Sequence, residues 1–333
     1  MKKLRLGFIG CGGITRAHLA DGLATFPDVE FVGWCDVNLK AATELASQHG
    51  GKPFAETGAM LDATSPDAVY IMLPPFAHGK AENAVLDRHL PFFVEKPIHI
   101  RFSEARKIAR RAGKLGVITG VGYMNRFRAG IQRVKSLLQK QPLVMLYGGW
   151  IGGGPTVYES IWKWWVQKDK SGGQLLEQTT HTTDLALYLG GPVKEVFAVP
   201  VVKRLKRPPF FTIEDASMVT LRYASGAVGN LMSSVATRVG GDVYLTVLGT
   251  NFRADYAGWI HNLELQLPNQ EKAQIPGEPK IFGLEDRAFI DSVRKGKPHP
   301  ILATYQEGLA AAAIAEAAHQ SFVTGKAIRI SDL

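Results

Sequence analysis

The chain has 333 residues, enough for two domains, because a single core rarely grows past about 250–300 residues. With 46% hydrophobic and 21% charged residues it has the composition of an ordinary soluble globular protein, and no stretch approaches the roughly 20 apolar residues of a membrane helix. The net charge of +9 is concentrated between Arg101 and Lys140, where eleven Lys/Arg stand against one acid, Glu104. No nucleic-acid recognition motif accompanies that run, so it reads as a solvated helix face or a field attracting anionic ligands.

In chain order, Met1–Gly10 begins with basic and then apolar residues, but its apolar run is cut short by glycines. It reads as a first strand, Leu4–Ile9, and not as a signal peptide. The only cysteines are Cys11 and Cys35, with no Asn-x-Ser/Thr site, so a reduced, cytoplasmic compartment is expected. A helix over 14–25, a strand over 30–35 and a helix from Asn38 through His49 follow. Ala68–Leu73 is a near-continuous apolar strand, as expected where both faces are covered. Pro74-Pro75 ends it; then come a helix, the strand Phe92–Glu95, a basic helix from Ser103 and a strand over 117–122. Alternation of this kind predicts a doubly wound parallel sheet over 1–122. From 123 to 333 the strands lengthen and alternate, with the turn Ser225-Gly226 between two of them and an alanine-rich helix over 306–323. An α+β domain built on a large, mainly antiparallel sheet with flanking helices is expected there.

Gly10-x-Gly12-Gly13-Ile14-Thr15 lies between a strand and a helix, the context of a dinucleotide-binding turn. Gly10 would permit the tight turn, Gly12 would let the backbone approach a pyrophosphate, and the helix start would offer free N–H groups. Thr15 stands where Gly or Ala is usual and could donate to a phosphate. Asp36 ends the second strand, where a carboxylate accepts from ribose hydroxyls and repels a 2′-phosphate. No arginine follows at 37–39, so NAD is favoured over NADP. Glu95-Lys96-Pro97 closes the strand at 92–95 and puts a lysine on the ligand-binding edge of the sheet. Gly172-Gly173 leads into Glu177, His181 and Asp184, whose i, i+4, i+7 spacing would share one helix face. Tyr123 and Arg126 follow the last strand of the first domain and are candidate substrate contacts, with Asn125 beside them. The segment 151–171 holds Gly152, Tyr158, Trp162, Trp164 and Trp165, and Trp162 is the candidate sugar-stacking ring. No metal-ligand spacing is present.

With Pro74-Pro75-x-x-His78 added, these motifs resemble the glucose–fructose oxidoreductase/inositol dehydrogenase (Gfo/Idh/MocA) family over essentially the whole chain. The resemblance implies a nicotinamide-dependent oxidoreductase whose catalytic groups are Lys96, His181 and Glu177, the last standing where the family usually has Asp. By position, the expected cofactor contacts are Gly10, Gly12, Gly13, Ile14, Asp36, Pro74, His78, Glu95 and Lys96, with helix capping an equal reading for His78. The expected substrate contacts are Tyr123, Arg126, Trp162 and Asp184, with a structural helix contact an equal reading for Asp184. The expected reaction transfers hydride between NAD(H) and a hydroxyl or ketone of a sugar, sugar derivative or cyclitol. Rival readings are a glycoside-cleaving enzyme working by transient oxidation and elimination, and a catalytically silent NAD(P)-binding regulator. Expected partners are a small carbohydrate or cyclitol and further copies of the chain, as a homodimer or homotetramer through the second sheet; nucleic acid and membrane are not expected.

Overall fold

A computed structural model describes residues 2–152, 161–204, 206–237 and 239–333. The chain forms two compact units, one of residues 1–124 with 280–309, the other of 125–279 with 310–333.

The first unit holds strands β1 (Leu4–Ile9), β2 (Val29–Cys35), β3 (Lys52–Phe54), β4 (Ala68–Ile71), β5 (Phe92–Val94) and β6 (Thr119–Val121), all parallel, in the order β3-β2-β1-β4-β5-β6. Strand order reverses between β1 and β4, the switch point at which such sheets bind ligands. Trp34, Phe8, Tyr70 and Phe93 pair across β2, β1, β4 and β5 and stack in succession, with centroids 4.7, 4.9 and 5.1 Å apart. Each such contact adds about 0.5–1.5 kcal/mol beyond burial, which locks the register of the central strands. The basic face of the helix Phe102–Leu115 is solvated and partly ion-paired, with Lys107 to Glu104 at 2.9 Å and Arg111 to Asp87 at 2.5 Å.

Among the described residues the second unit builds one nine-stranded sheet. It comprises β7 (Leu143–Ile151), β8 (Val193–Val201), β9 (Ala216–Tyr223), β10 (Val228–Ser234), β11 (Val243–Gly249), β12 (Phe252–Ala257), β13 (Asn262–Gln266), β14 (Ala273–Ile275) and β15 (Ile328–Arg329). Their order is β14-β13-β12-β11-β7-β10-β9-β8-β15, antiparallel except where β10 pairs with β7. Side chains alternate between faces with period two. Val196, Ala198, Val219, Leu221 and Leu231 face a core that also takes Ile131, Leu185, Leu189 and Ile314 from the helices. On the strands' alternate positions Phe197, Val199, Met218 and Val228 are exposed. Among the described residues no helix is long and apolar enough to cross a membrane.

Candidate functional site

At the end of β1, Gly10 has φ +96°, and a Cβ there would lie 2.3 Å from the Met72 carbonyl oxygen, so only glycine fits. A Cβ on Gly12 or Gly13 would meet nothing within 4 Å, and the helix Gly13–Asp21 starts with no side-chain cap. The turn therefore presents open space over uncapped N–H groups, as a pyrophosphate requires. Thr15 departs from expectation. Its hydroxyl is buried and donates to the Gly10 carbonyl at 2.7 Å, so it braces the turn from inside and does not face a phosphate. Ile14 packs at the edge of the core.

Asp36 follows β2 and accepts from the Cys11 N–H at 2.7 Å and the Asn38 N–H at 2.8 Å. Its carboxylate is thereby fixed beside the glycine turn while staying partly exposed. Burial, with the Asp36 charge, pushes the Cys11 thiol up to about 12, which makes it a packing group and not a nucleophile. Pro74 starts the short turn Pro75–Ala77. His78 is buried, with Nδ1 2.6 Å from Glu82 and Nε2 3.0 Å from the Leu73 carbonyl. Burial alone would raise Glu82, but His78 holds it below the usual carboxylate range. His78 therefore fixes the turn after β4.

Glu95, a candidate cofactor contact, turns inward. It is buried with Oε1 3.2 Å from His18 Nε2, and its Oε2 accepts the Lys96 N–H at 3.0 Å. Lys96 is partly exposed at the end of β5. Sequence spacing offered no metal cluster, yet the fold brings ligand atoms of His18, Glu95 and Glu285 within 4.8 Å of one another. Tyr123 is buried just after β6.

In the second unit the candidate segment forms two helices, Gln174–Glu177 and Thr180–Gly190, joined through Gln178 and Thr179, which keep right-handed helical backbones. Glu177 Oε2 accepts from the Trp165 indole N–H at 2.7 Å. His181 is buried near two rings that sequence reasoning did not single out, Trp259 edge-on at 5.3 Å and Trp150 at 6.4 Å. Trp150 and Trp259, with Asp242, Thr237 and Gly152, line a hollow of about 270 Å³. Trp150 is the next-to-last residue of β7, and Trp259 follows Gly258 in the β12–β13 turn. A large ring in a tight turn was the one available sequence signal for Trp259.

Arg126 and Asp184, both candidate substrate contacts, are placed against each other: Arg126 Nε donates at 2.9 Å and Nη2 at 2.6 Å, both groups are buried, and the guanidinium lies 4.7 Å over the Tyr188 ring. Asp184→Ala would leave that guanidinium buried without its carboxylate. We expect a loss of about 3–5 kcal/mol, read as a lower urea midpoint at unchanged slope. Trp162 packs edge-on with Trp165 at 5.0 Å in a small cluster with Val166, Phe211, Ile213 and Val235. Tyr158 lies outside the described residues.

Residues 4–123 match the model of the oxidoreductase family with an NAD-binding Rossmann fold, and residues 144–254 match that of the GFO/IDH/MocA C-terminal domain. The chain is 28% identical over 243 residues to glucose-6-phosphate 3-dehydrogenase of Bacillus subtilis (strain 168), covering 72% of this chain and 67% of that one. It is 23% identical over 346 residues to myo-inositol 2-dehydrogenase of Thermotoga maritima, covering 99% of each. The WlbA dehydrogenase of Bordetella pertussis, solved with NADH and UDP-GlcNAcA, superposes with a TM-score of 0.83 at 24% identity over 98% of this chain and 99% of the other. The first sheet and strands β8 to β11 of the second, with nearly all of β7, thus fall under models of a single family, and the chain belongs to the Gfo/Idh/MocA family of NAD-binding oxidoreductases.

Proposed function

We propose that this protein oxidises a secondary hydroxyl of a sugar, sugar derivative or cyclitol, or reduces the matching ketone, with Lys96 and His181 as its reacting groups and Glu177 as the orienting carboxylate. The observation that carries the sugar or cyclitol reading is the pair of indoles beside His181. Indole faces suit the C–H faces of such rings, and Asp242 in the same hollow can accept from their hydroxyls. The named relatives are dehydrogenases of a sugar phosphate and of a cyclitol.

The nucleotide would be held by the Gly10–Gly12 turn, the N–H groups at the start of the following helix, and Asp36. The nicotinamide, when bound, supplies or accepts the hydride. His181 takes the hydroxyl proton as the carbinol becomes a carbonyl and returns it in the reverse direction. The Lys96 ammonium stabilises negative charge developing on that oxygen. Glu177, fixed by the Trp165 indole, orients the proton acceptor. The first unit would serve the cofactor, and the second the substrate.

The alternating apolar side chains Phe197, Val199, Met218 and Val228 favour self-association through the open face of the second sheet, as a dimer or tetramer. Cytoplasmic placement rests on the two free, buried cysteines.

The test mixes purified protein with NAD and a panel of sugars, inositols and aryl glycosides, following nicotinamide absorbance and aglycone release together. NADH formed with one substrate class, and lost with Lys96→Ala, is the expected result. Aglycone release without net NADH would replace this reading with the redox-cycling hydrolase, and no turnover of any member would refute it. Asp36→Asn removes the charge that opposes a 2′-phosphate. The ratio of kcat/KM for NAD over NADP should fall by roughly tenfold, about 1.4 kcal/mol, and an unchanged ratio would show that Asp36 does not select the cofactor.

A further inference from the structure

A buried charge cluster in the first unit takes part in none of the steps above. His18, on the helix that follows the glycine turn, is fully buried. Its Nδ1 lies 2.9 and 3.1 Å from the two carboxylate oxygens of Asp286, and its Nε2 lies 3.2 Å from Glu95 Oε1. Glu285 brings another carboxylate oxygen to 4.0 Å from Nε2. Aromatic rings complete the surroundings, Phe93 edge-on at 5.6 Å and Phe282 tilted at 4.6 Å. An imidazole with a carboxylate on each nitrogen satisfies both only by donating from both, that is, as the imidazolium. Burial alone would depress this histidine, but Asp286 and Glu95 carry it well above its ordinary value.

Glu95 is the hinge of the arrangement. One of its oxygens faces His18, while the other accepts the backbone N–H of Lys96. Gly122 closes the remaining side, since a Cβ there would lie 2.2 Å from Glu95 Oε1. The carboxylate next to Lys96 is therefore fixed by a helix on the cofactor side and by a helix nearly 190 positions later in the chain.

We propose that His18 and Asp286 are positioning residues for Lys96: His18, bridged between two carboxylates, fixes Glu95, and Glu95 fixes the backbone from which the Lys96 ammonium reaches the reacting oxygen. The inference rests on the role given to Lys96 above. It supplies a reason for an inward-facing glutamate directly before that lysine, because small misplacements of a reacting group cost large factors in rate.

Two variants test it. Asp286→Asn keeps the shape and removes the charge, and His18→Gln keeps a single donor; should His18→Gln fail to fold, the milder Asp286→Asn carries the test. Hydrogen exchange at the Lys96 amide is measured on the protein alone, and kcat and KM on the same panel with NAD. Exchange at Lys96 should quicken about tenfold or more while the amides of β1 and β4 stay as protected as in the parent. In the same variants kcat should fall about 10–100-fold with KM for NAD held within about threefold. Unchanged exchange at Lys96, loss of protection throughout the first unit, or altered exchange with parental kcat would each overturn the proposal. A parent protein that turns over nothing would refute the function, and the exchange result would still decide whether the cluster holds Lys96.

Discussion

Replacing His181 with alanine is expected to lower kcat for sugar or cyclitol oxidation by about 10²–10⁴-fold, the range for loss of a positioned acid/base group. The expectation follows from where the ring sits. His181 is 4% exposed, on the first turn of its helix, with the Trp259 edge at 5.3 Å and Trp150 beyond it. Such packing restricts ring rotation and excludes water that would otherwise serve as a weaker proton acceptor. Lys96→Ala should cost about 10²–10³-fold by removing charge stabilisation of the developing alkoxide. His181 is not among the proposed cofactor contacts, so in His181→Ala the NAD affinity, read by protein fluorescence, should stay near the parent's. Parental turnover in either variant would remove that residue from the mechanism. Loss of NAD binding together with turnover in His181→Ala would instead point to a folding defect.

The second large effect is on stability in acid. Burial, with help from the Arg128 charge, pushes His261 down from 6.5 to about 4. This ring is 2% exposed, sits at φ 56°, and donates from Nδ1 to the Trp259 carbonyl at 3.0 Å. His319 is also pushed down to about 4, first by burial and then by Lys168, whose ammonium lies 2.7 Å from its Nε2 and 2.8 Å from Glu214. In both cases the folded state holds the neutral ring. Below pH 6.5 the unfolded chain gains protons that the folded chain refuses, so stability is complete above that value and falls as pH drops toward 4. For His261 the loss approaches about 3 kcal/mol at 1.36 kcal/mol per pH unit; His319, accessible at its rim, contributes less. Urea midpoints between pH 7 and 4 would show the decline. His261→Asn suits the positive φ and carries no titrating ring, so it should flatten the curve. An equally steep fall in that variant would remove His261 as the cause.

Much of the fold was legible because its signals are local. A tight glycine turn between a strand and a helix needs only neighbouring residues to specify it, and Gly10 confirms this with a positive φ and no room for a Cβ. Runs of apolar residues marked the covered parallel strands, and period-two alternation marked the half-exposed ones, since each pattern reports how many faces are buried. Three short edge strands escaped, Lys52–Phe54, Ala273–Ile275 and Ile328–Arg329, which are too short and too exposed to carry an apolar pattern. So did the interior strand Phe252–Ala257, whose alternating apolar positions are interrupted by Arg253 and Asp255. The helix Phe282–Lys295 was likewise unassigned, and with it the return of residues 280–309 to the first unit.

By itself the sequence determined the family, the two sheets, the tight glycine turn after the first strand and the residue types available for chemistry. Tertiary structure alone decided which polar groups meet. Thr15 turns inward to a carbonyl, Arg126 finds Asp184 across 58 positions, and His18 finds Asp286 across 268. Trp150 and Trp259 come to His181 from a strand end and a turn. The physical reason is that a buried donor or acceptor must be satisfied wherever it lands. Which partner arrives depends on the packing of distant segments, and no local pattern in the chain encodes it.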